Sequence, residues 1–397
     1  MVNLWNNKQF RYRCIVTIAF LCIFLIGGQM LVPGVLKITE TTMLNDSSVL
    51  DFLTASPFSW FFLGIGPYII TSILIDFLGV HISPLLKSWK REGFSGQKKI
   101  RISKYCISVL VGFVTAMLNI YNYEQRGLYL FVNSPESIAL QLTVGGLFVI
   151  IIAEIITKKG LGSGLSYIIL ISLIKSILSQ VVQGYKSLQA THQIFGNSYL
   201  TIFIFIIGVV ALTVIMMLFD KKRKQIKIND DNSDIQFQND YISLKYNSAG
   251  TIPLLFTSMV LGVTNLICIN FNVKFSNITS QILFILLFIS ITFISTWVTV
   301  SPVKRANMMK LRGLILEGIA PGDETIRYFK RSAIILSLQS LGFILIVTIL
   351  FSIIKSRTIF AFLSVDILTF LVLGSVLNDI LVDVKYYARS RKKEHLY

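Results

Sequence analysis

Long apolar segments alternate with short polar ones along the whole chain. Ten apolar runs recur, each of about 20 residues, which is the length an α-helix needs to cross the hydrocarbon core of a bilayer. They are numbered here as spans 1 to 10 and cover roughly residues 14–33, 61–80, 103–121, 139–157, 164–184, 199–219, 252–272, 280–300, 333–354 and 359–384. A transmembrane β-barrel would instead show runs of about half that length with alternating polarity. The pattern predicts an all-α polytopic membrane protein with ten transmembrane helices.

The composition and the charge distribution agree with this class. Of the 397 residues, 54% are hydrophobic and only 14% are charged, whereas about a quarter of a soluble protein is charged. When the loops are assigned alternately to two sides, 30 of the 37 Lys and Arg residues fall on the side of the N-terminus. The positive-inside rule then places both termini in the cytoplasm of a plasma-membrane protein. This topology explains the net charge of +17 without nucleic-acid binding.

Three basic residues precede the first span, and basic residues before an apolar run are also typical of a signal peptide. The span is longer than the apolar core of a typical signal peptide and lacks a small-x-small cleavage site. We therefore predict that span 1 is a retained helix.

The polar segments divide the chain into two halves, 1–198 with spans 1–5 and 199–397 with spans 6–10. Loop 6/7, residues 220–247, separates them and ends in Ile242–Lys245, which alternates like a short strand. Halves with five spans each must insert in opposite orientations, which permits an inverted pseudo-repeat. In loop 8/9, residues 301–331, the sequence Pro321-Gly322-Asp323-Glu324 predicts a turn that leads into a helix. Residues 37–57 are too polar to span and too apolar for a solvated loop, which favours a short amphipathic helix.

Signals for enzymatic chemistry are weak. The four cysteines and three histidines match no metal or disulfide pattern, and no nucleotide-binding or hydrolase motif is present. We therefore predict no catalytic residue, no metal site and no cofactor. The glycine-rich run Gly160–Gly164 follows no predicted strand, so a tight turn between two membrane helices is favoured over a phosphate cradle. Asp366 lies about two turns into span 10, where a carboxylate is costly, and this leaves a secondary transporter with a site near Asp366 as an alternative of another class.

Small polar residues collect in span 2, at Thr71 and Ser72, and in span 7, at Thr257 and Ser258. They are compatible either with close helix packing or with a seam between helices that can open. The sequence alone leaves both possibilities open.

Four ordered blocks of the chain resemble the SecY family, the channel subunits of the protein translocon. FFLGIGPYIITSILIDFLG followed by KREGFSGQKKIRISKY resembles the family's helix 2 and the loop after it. Three more blocks match in order: IIAEIITKKGLGSGLSYIILISLI, YISLKYNSAGTIPLLFTSMVL and SPVKRANMMKLRGLILEGIAPGDETIRYFKR. The resemblance covers nearly the whole chain and implies a clamshell of two five-helix halves around a pore.

The resemblance also implies roles for particular residues and partners. The pore constriction would be formed by six aliphatic residues: Ile65, Ile69, Ile169, Leu173, Leu255 and Ile367. A plug would lie within 45–55, and the seam at Thr71, Ser72, Thr257 and Ser258 would be a lateral gate. The basic loops would dock a SecA-type motor ATPase or a ribosome through Lys98, Lys99, Arg101, Lys245, Lys304, Arg305 and Arg312. Further expected partners are SecE- and SecG-like small subunits or accessory Sec proteins, an unfolded preprotein and membrane lipids.

Three departures from the family pattern point to an accessory SecY paralogue of low-GC Gram-positive bacteria. Ala320 stands where the family usually has Arg before the Pro-Gly of loop 8/9, and Asp366 stands where an apolar residue is usual. The external loop after span 7, about residues 271–279, is also short. This subfamily exports serine-rich glycoprotein adhesins with a dedicated motor, and the housekeeping SecY of a divergent organism is the nearest alternative.

Overall fold

The computed structural model describes most of the predicted spans and the segments between them. The described residues are 8–37, 57–81, 84–125, 129–190, 198–230, 241–247, seven positions between 253 and 268, 277–311, 313–316, 318–320, 322–357 and 372–384. The segment 38–56, which contains the predicted plug and most of the predicted amphipathic helix, lies outside them.

The first half of the chain is built from six helices and two short strands. The helices are α1 (Lys8–Gly27), α2 (Gly66–His81), α3 (Pro84–Arg91), α4 (Phe94–Gln125), α5 (Pro135–Lys159) and α6 (Gly164–Ala190). Their ends follow ordinary helix chemistry: α5 begins with Pro135 and Glu136 and ends with Lys158 and Lys159 before Gly160. The strands β1 (Val35–Lys37) and β2 (Tyr129–Phe131) pair antiparallel, an element that the sequence did not predict.

The second half contains α7 (Ser198–Lys221), α8 (Asn277–Val300), α9 (Pro302–Leu311), α10 (Asp323–Arg357) and a helix over 372–384, called α11. Three strands lie between these helices: β3 (Arg223–Asp230), β4 (Tyr241–Lys245) and β5 (Leu314–Leu316). They form one antiparallel sheet in the order β4-β3-β5, so β3 joins loop 6/7 to loop 8/9. The strand predicted at Ile242–Lys245 is confirmed, as are the turn before α10 and its acidic first turn.

The apolar core is divided into clusters that follow the two halves. The N-half cluster joins α1, α5 and α6 through Phe24, Ile65, Val149, Ile152, Ala153, Ile156 and Ile168. The C-half cluster joins α8, α10 and α11 through Phe288, Leu341, Ile344, Val372, Val376 and Ile380. A third cluster, centred on Phe58, lies beneath the β1–β2 pair, and a fourth lies beneath the three-stranded sheet.

Five helices in the described part of the chain are long and apolar enough to cross a membrane. They are Lys8–Gly27, Phe94–Gln125, Pro135–Lys159, Ile285–Leu311 and Asp323–Val347, with shorter apolar helices at Gly66–Asp76 and Gly164–Leu178. All seven fall within predicted spans or extend them. The prediction of an all-α polytopic membrane fold is confirmed.

The basic segment between spans 2 and 3 is mostly helical, which the sequence did not predict. Residues 84–91 form α3, and α4 begins at Phe94, nine residues before the predicted start of span 3. Lys98, Lys99 and Arg101 therefore lie on the first turns of a helix. The physical reason is that Lys, Arg and Gln are good helix formers, so the helix continues where the hydropathy falls. Gly93, at φ +68°, makes the break between the two helices.

Candidate functional site

Two of the six predicted constriction residues, Ile169 and Leu173, pack against the core of the other half. Ile65 belongs to the N-half cluster, and its carbonyl accepts the backbone N–H of Ile69 at 3.1 Å, which places both on one face at the start of α2. Ile169 packs against both the N-half and the C-half cluster, and Leu173, one turn later on α6, packs against the C-half cluster. The other two, Leu255 and Ile367, lie outside the described residues. An aliphatic junction between the halves is thus present, and its role as a pore constriction stays a prediction.

An apolar cavity lies between span 2 and spans 7 and 8, and its lining includes sequence neighbours of the predicted seam residues but not those residues themselves. The cavity has a volume of about 290 Å³ and is lined by Ile73, Leu74 and Asp76 of α2, Phe256, and Ile291, Ile294, Ser295, Val298 and Thr299 of α8. Its wall consists of side chains from span 2 on one side and spans 7 and 8 on the other. Little besides apolar side-chain packing therefore holds α2 against α8 at this point.

The seam residues themselves have different hydrogen-bonding states. Thr71 is fully buried and donates to the carbonyl of Pro67 at 2.8 Å, so its hydroxyl is satisfied inside α2. Thr257 is also fully buried, and its hydroxyl has no hydrogen-bond partner among the described residues. A buried polar group without a partner costs free energy, so this hydroxyl adds no stabilising hydrogen bond within the described part of the chain. Ser258 lies outside the described residues.

Ser72 belongs to a charged network that fastens α2 to α4. The Lys104 ammonium donates to the Ser72 hydroxyl at 2.9 Å and to Asp76 Oδ2 at 2.9 Å. The Lys104 side chain is 14% exposed and the Asp76 side chain 51%. Ser72 therefore bonds to span 3 rather than across the seam. No partner for Asp76 was predictable from the sequence, because Lys104 lies 28 residues further along the chain.

The predicted docking residues lie at one end of the bundle, which is called the basic end and carries the α3–α4 corner, the three-stranded sheet and α9. Lys98, Lys99, Lys245 and Lys304 are exposed there, and Lys99 pairs with Glu92 at 2.7 Å. Arg101 is exposed on α4 as well, while Arg312 lies outside the described residues.

Arg305 differs from the other docking candidates because it is half-buried. Its guanidinium donates to the carbonyl of Thr299 at 3.1 Å, near the C-terminal end of α8. A guanidinium stays charged at neutral pH. The contact places a cation where the helix dipole is negative. Arg305 therefore has a structural role that the sequence did not predict.

The glycine-rich turn between α5 and α6 is confirmed and is held from both halves. From α1, Arg13 donates to the carbonyl of Gly160 at 3.2 Å, and the hydroxyl of Thr17 accepts the backbone N–H of Leu161 at 3.0 Å. From α11, Asp383 Oδ2 accepts the backbone N–H of Ser163 at 3.0 Å. Asp383 is therefore a cap for a turn in the other half, a role that nothing near it in the sequence predicts.

One buried cation lies well inside a predicted span. Lys175, on α6, is only 6% exposed, and its ammonium lies beside Gly28, just after the C-terminal end of α1. Carbonyls at a helix C-terminus favour a cation. From the sequence alone, Lys175 was assigned only as a charge on the outer side of the membrane. A single Lys in an apolar run does not indicate which residues will surround it in the fold.

The geometry first defines the class: a polytopic helical membrane protein whose halves meet along an apolar seam beneath a basic end. The SecY family model matches residues 59–380. The SecY protein translocase subunit of Staphylococcus carnosus is 27% identical over 375 residues, covering 88% of this chain and 87% of that protein. That of Staphylococcus aureus strain NCTC 8325 is 26% identical over 376 residues, with the same coverage. The chain belongs to the SecY family.

Solved structures agree on the fold. A SecY structure concerned with the plug domain and the closed state of the translocation channel matches with a TM-score of 0.60 at 15% identity, covering 96% of this chain and 91% of that one. Sec61 in a canine ribosome–channel complex matches with a TM-score of 0.54 at 14% identity and the same coverage. Family membership makes this chain a SecY-type protein-conducting channel subunit rather than an enzyme, and it disfavours the secondary-transporter alternative.

Proposed function

We propose that this chain is the channel of an accessory Sec system, which passes unfolded serine-rich glycoprotein adhesins across the plasma membrane with a dedicated SecA-type motor. The observation that carries the proposal is Ala320. It is exposed at the basic end, where a SecA-type motor would dock, and it lacks the cation that the resemblance to the family leads one to expect. The identity of only 27% to the SecY translocase subunit of Staphylococcus carnosus over 88% of this chain is compatible with a divergent paralogue.

The pore in this proposal runs between the N-half (1–198) and the C-half (199–397). Ile65, Ile69, Ile169 and Leu173, with Leu255 and Ile367, form the constriction. Branched aliphatic side chains can yield to a passing peptide, and an empty apolar constriction dewets and so blocks ions. The position of Ile169 between the two apolar clusters supports this arrangement, since it would move when the halves separate.

The lateral gate in this proposal is the apolar cavity between α2 and α8. Its apolar lining suits a hydrophobic signal segment. Such a segment would move from water into an environment of protein and lipid, which is favourable for apolar surface. The Lys104 network makes α2 and α4 one leaf of the gate. Thr257 lies on the facing leaf, where its hydroxyl adds no stabilising hydrogen bond within the described part of the chain.

The basic end faces the cytoplasm in this proposal, together with both termini, because the positive-inside rule assigns Lys- and Arg-rich loops to that side. The motor would bind across loops 2/3, 6/7 and 8/9. SecE- and SecG-like small subunits or accessory Sec proteins would complete the complex in the membrane.

The experiment that tests the accessory assignment is Ala320→Arg. The Ala320 N–H donates to Glu324 Oε2 at 3.3 Å and its carbonyl accepts from Thr325 at 3.0 Å, so its exposed side chain can be enlarged without breaking the turn. Export of an adhesin preprotein with the dedicated motor is expected to stay unchanged. Asn307→Arg, which adds a cation at an exposed position on α9, is the matched control. A large gain with Ala320→Arg alone would instead support a degenerate housekeeping channel.

Two further experiments separate the channel from its alternatives. Cysteines at positions 65 and 69 are expected to crosslink to a preprotein trapped during export, and persistent failure would exclude the proposed pore. Asp366→Asn is expected to leave export unchanged, whereas a transporter with its site there would lose activity.

The neighbouring genes are a further test. A dedicated motor gene and glycosyltransferase genes beside this gene would support the accessory system over the housekeeping one.

A further inference from the structure

The α3–α4 corner, residues 84–101, presents an exposed aromatic side chain. Phe94, the first residue of α4, is 87% exposed, and Leu85 on α3 is 66% exposed. Exposed apolar residues within the membrane-spanning parts of the helices can contact lipid tails. Phe94 needs a separate explanation because of its position along α4 relative to the bilayer.

The length of α4 places Phe94 beyond the bilayer. The Lys104–Asp76 pair marks the polar boundary of spans 2 and 3, and from Lys104 to the end of α4 at Gln125 a helix rises about 31 Å, the thickness of the hydrocarbon core. Phe94 lies ten residues before Lys104, about 15 Å further out along the same helix. The headgroup layer is only about 5–8 Å thick on each side, so lipid does not reach Phe94.

The two helices of the corner pack closely against each other, and a preformed surface binds without a large loss of conformational entropy. A Cβ atom on Gly96 would lie 1.7 Å from the carbonyl oxygen of Trp89, so the backbones of α3 and α4 are in direct contact there. The backbone N–H of Glu92 bonds to the carbonyls of Ser88 and Trp89, and the Glu92 carboxylate pairs with Lys99.

The positive charge of the corner indicates which protein surface could bind Phe94. The corner carries six cations and one acid: Lys87, Lys90, Arg91, Lys98, Lys99, Arg101 and Glu92. Lys98, Lys99 and Arg101 are exposed on the same helix that begins with Phe94. A complementary protein surface would have an apolar pocket with acidic residues around it.

We propose that the corner is a preformed docking knob, in which Phe94 inserts into an apolar pocket of a cytosolic protein and the surrounding cations meet an acidic rim. The inference rests on the proposed function, since the SecA-type motor is the partner that function supplies. It goes further by assigning the anchoring contact to a single aromatic residue of the N-half. Aromatic side chains that fill a pocket at the centre of an interface commonly dominate its binding energy.

The test measures binding of purified, fluorescently labelled SecA-type motor from the same genome to the full chain, with its small subunits, in nanodiscs. Phe94→Ser is expected to raise the Kd about tenfold or more at every salt concentration. Phe94→Leu should restore most of the affinity. Lys98→Gln with Lys99→Gln should raise the Kd about threefold at low salt only, because exposed charges are screened.

Gln97→Ser is the matched control, since it shortens an exposed side chain one turn further along α4 and is expected to leave the Kd unchanged. If Phe94→Ser binds the motor as well as wild type does, the proposed knob is wrong while motor docking stands. If the wild-type chain binds no motor, both the knob and the proposed docking function are wrong. Quenching of a fluorophore at position 94 by nitroxide lipids without motor would also overturn the knob, because lipid would then cover it.

Discussion

Asp383 provides a strong test of how the two halves are joined at the basic end. Ser163 is the residue before α6, and its carbonyl accepts the backbone N–H of Tyr167. In a capping box, the acid three residues into the helix bonds back to the N–H of the capping residue. Here that position is Ser166, which is too short to reach back, and Asp383 from α11 makes the bond instead. A half-buried carboxylate of the second half thus completes a helix cap in the first.

The expected magnitude follows from the two parts of this contact. Removing a helix cap costs about 1 kcal/mol, and a carboxylate at a helix N-terminus adds about 0.3–1 kcal/mol. Asp383→Ala is therefore expected to cost about 1.5 kcal/mol. Asp383→Asn keeps an oxygen acceptor and loses only the charge, so it should cost about 0.5 kcal/mol. Each half is about 200 residues long, for which 1 kcal/mol corresponds to about 2–4 °C in Tm.

The assay is thermal unfolding of the full channel in nanodiscs, followed by intrinsic tryptophan fluorescence. Asp383→Ala should lower Tm by about 3–6 °C, with Asp383→Asn between it and wild type. Glu154→Ala is the control, because the ion pair that Glu154 makes in the described part of the chain is with exposed Lys158 on the same helix at 3.4 Å, and its loss should change little. Equal melting of Asp383→Ala and Glu154→Ala, or equal loss in both Asp383 variants, would refute the capping argument.

Two other predictions concern packing and charge. Gly145→Ala should destabilise by about 2 kcal/mol or more, because its Cβ would lie 1.8 Å from the carbonyl oxygen of Trp60; Gly208→Ala, with nothing within 4 Å, should be neutral or slightly stabilising. Both are measured by thermal unfolding, and equal effects would contradict the close approach. Lys104→Gln should cost about 1 kcal/mol, since half-exposed Asp76 can be solvated by water instead. The wild-type Tm should also fall at high salt and that of Lys104→Gln should not, whereas an equal salt response in both would argue against the pair.

Hydropathy located the membrane segments well because a helix must be apolar over its length to lie in the hydrocarbon core of a bilayer. It did not locate helix ends, and α4 is the plainest case. Its apolar part was predicted from 103, yet Gln97, Lys98 and Lys99 continue the same helix beyond the membrane boundary. The turn at Gly160–Gly164 and the start of α10 were predictable because local residue chemistry determines them.

Contacts between residues distant in sequence were not predictable in this way. Asp383 lies 220 positions from Ser163, and nothing near either residue marks the other. The strand β3 was missed for a related reason, since part of its pairing is with β5, more than 80 residues later. The constriction residues came from a family resemblance, and the structure adds only that Ile169 packs against both apolar clusters and Leu173 against the C-half cluster.

The three strands of the sheet cannot all pair until late in the synthesis of the chain. β3 and β4 are close enough in sequence to pair as soon as residue 245 has been synthesised. Their partner β5 is made only after spans 7 and 8, so the sheet is completed late and from a non-local contact, which forms slowly. Until then the β3 edge at Ile228–Asp230 lacks its native partner and could pair with another chain. Biogenesis of this channel therefore depends on timely insertion of spans 7 and 8, and a delay there would expose an aggregation-prone strand in a protein that is otherwise helical.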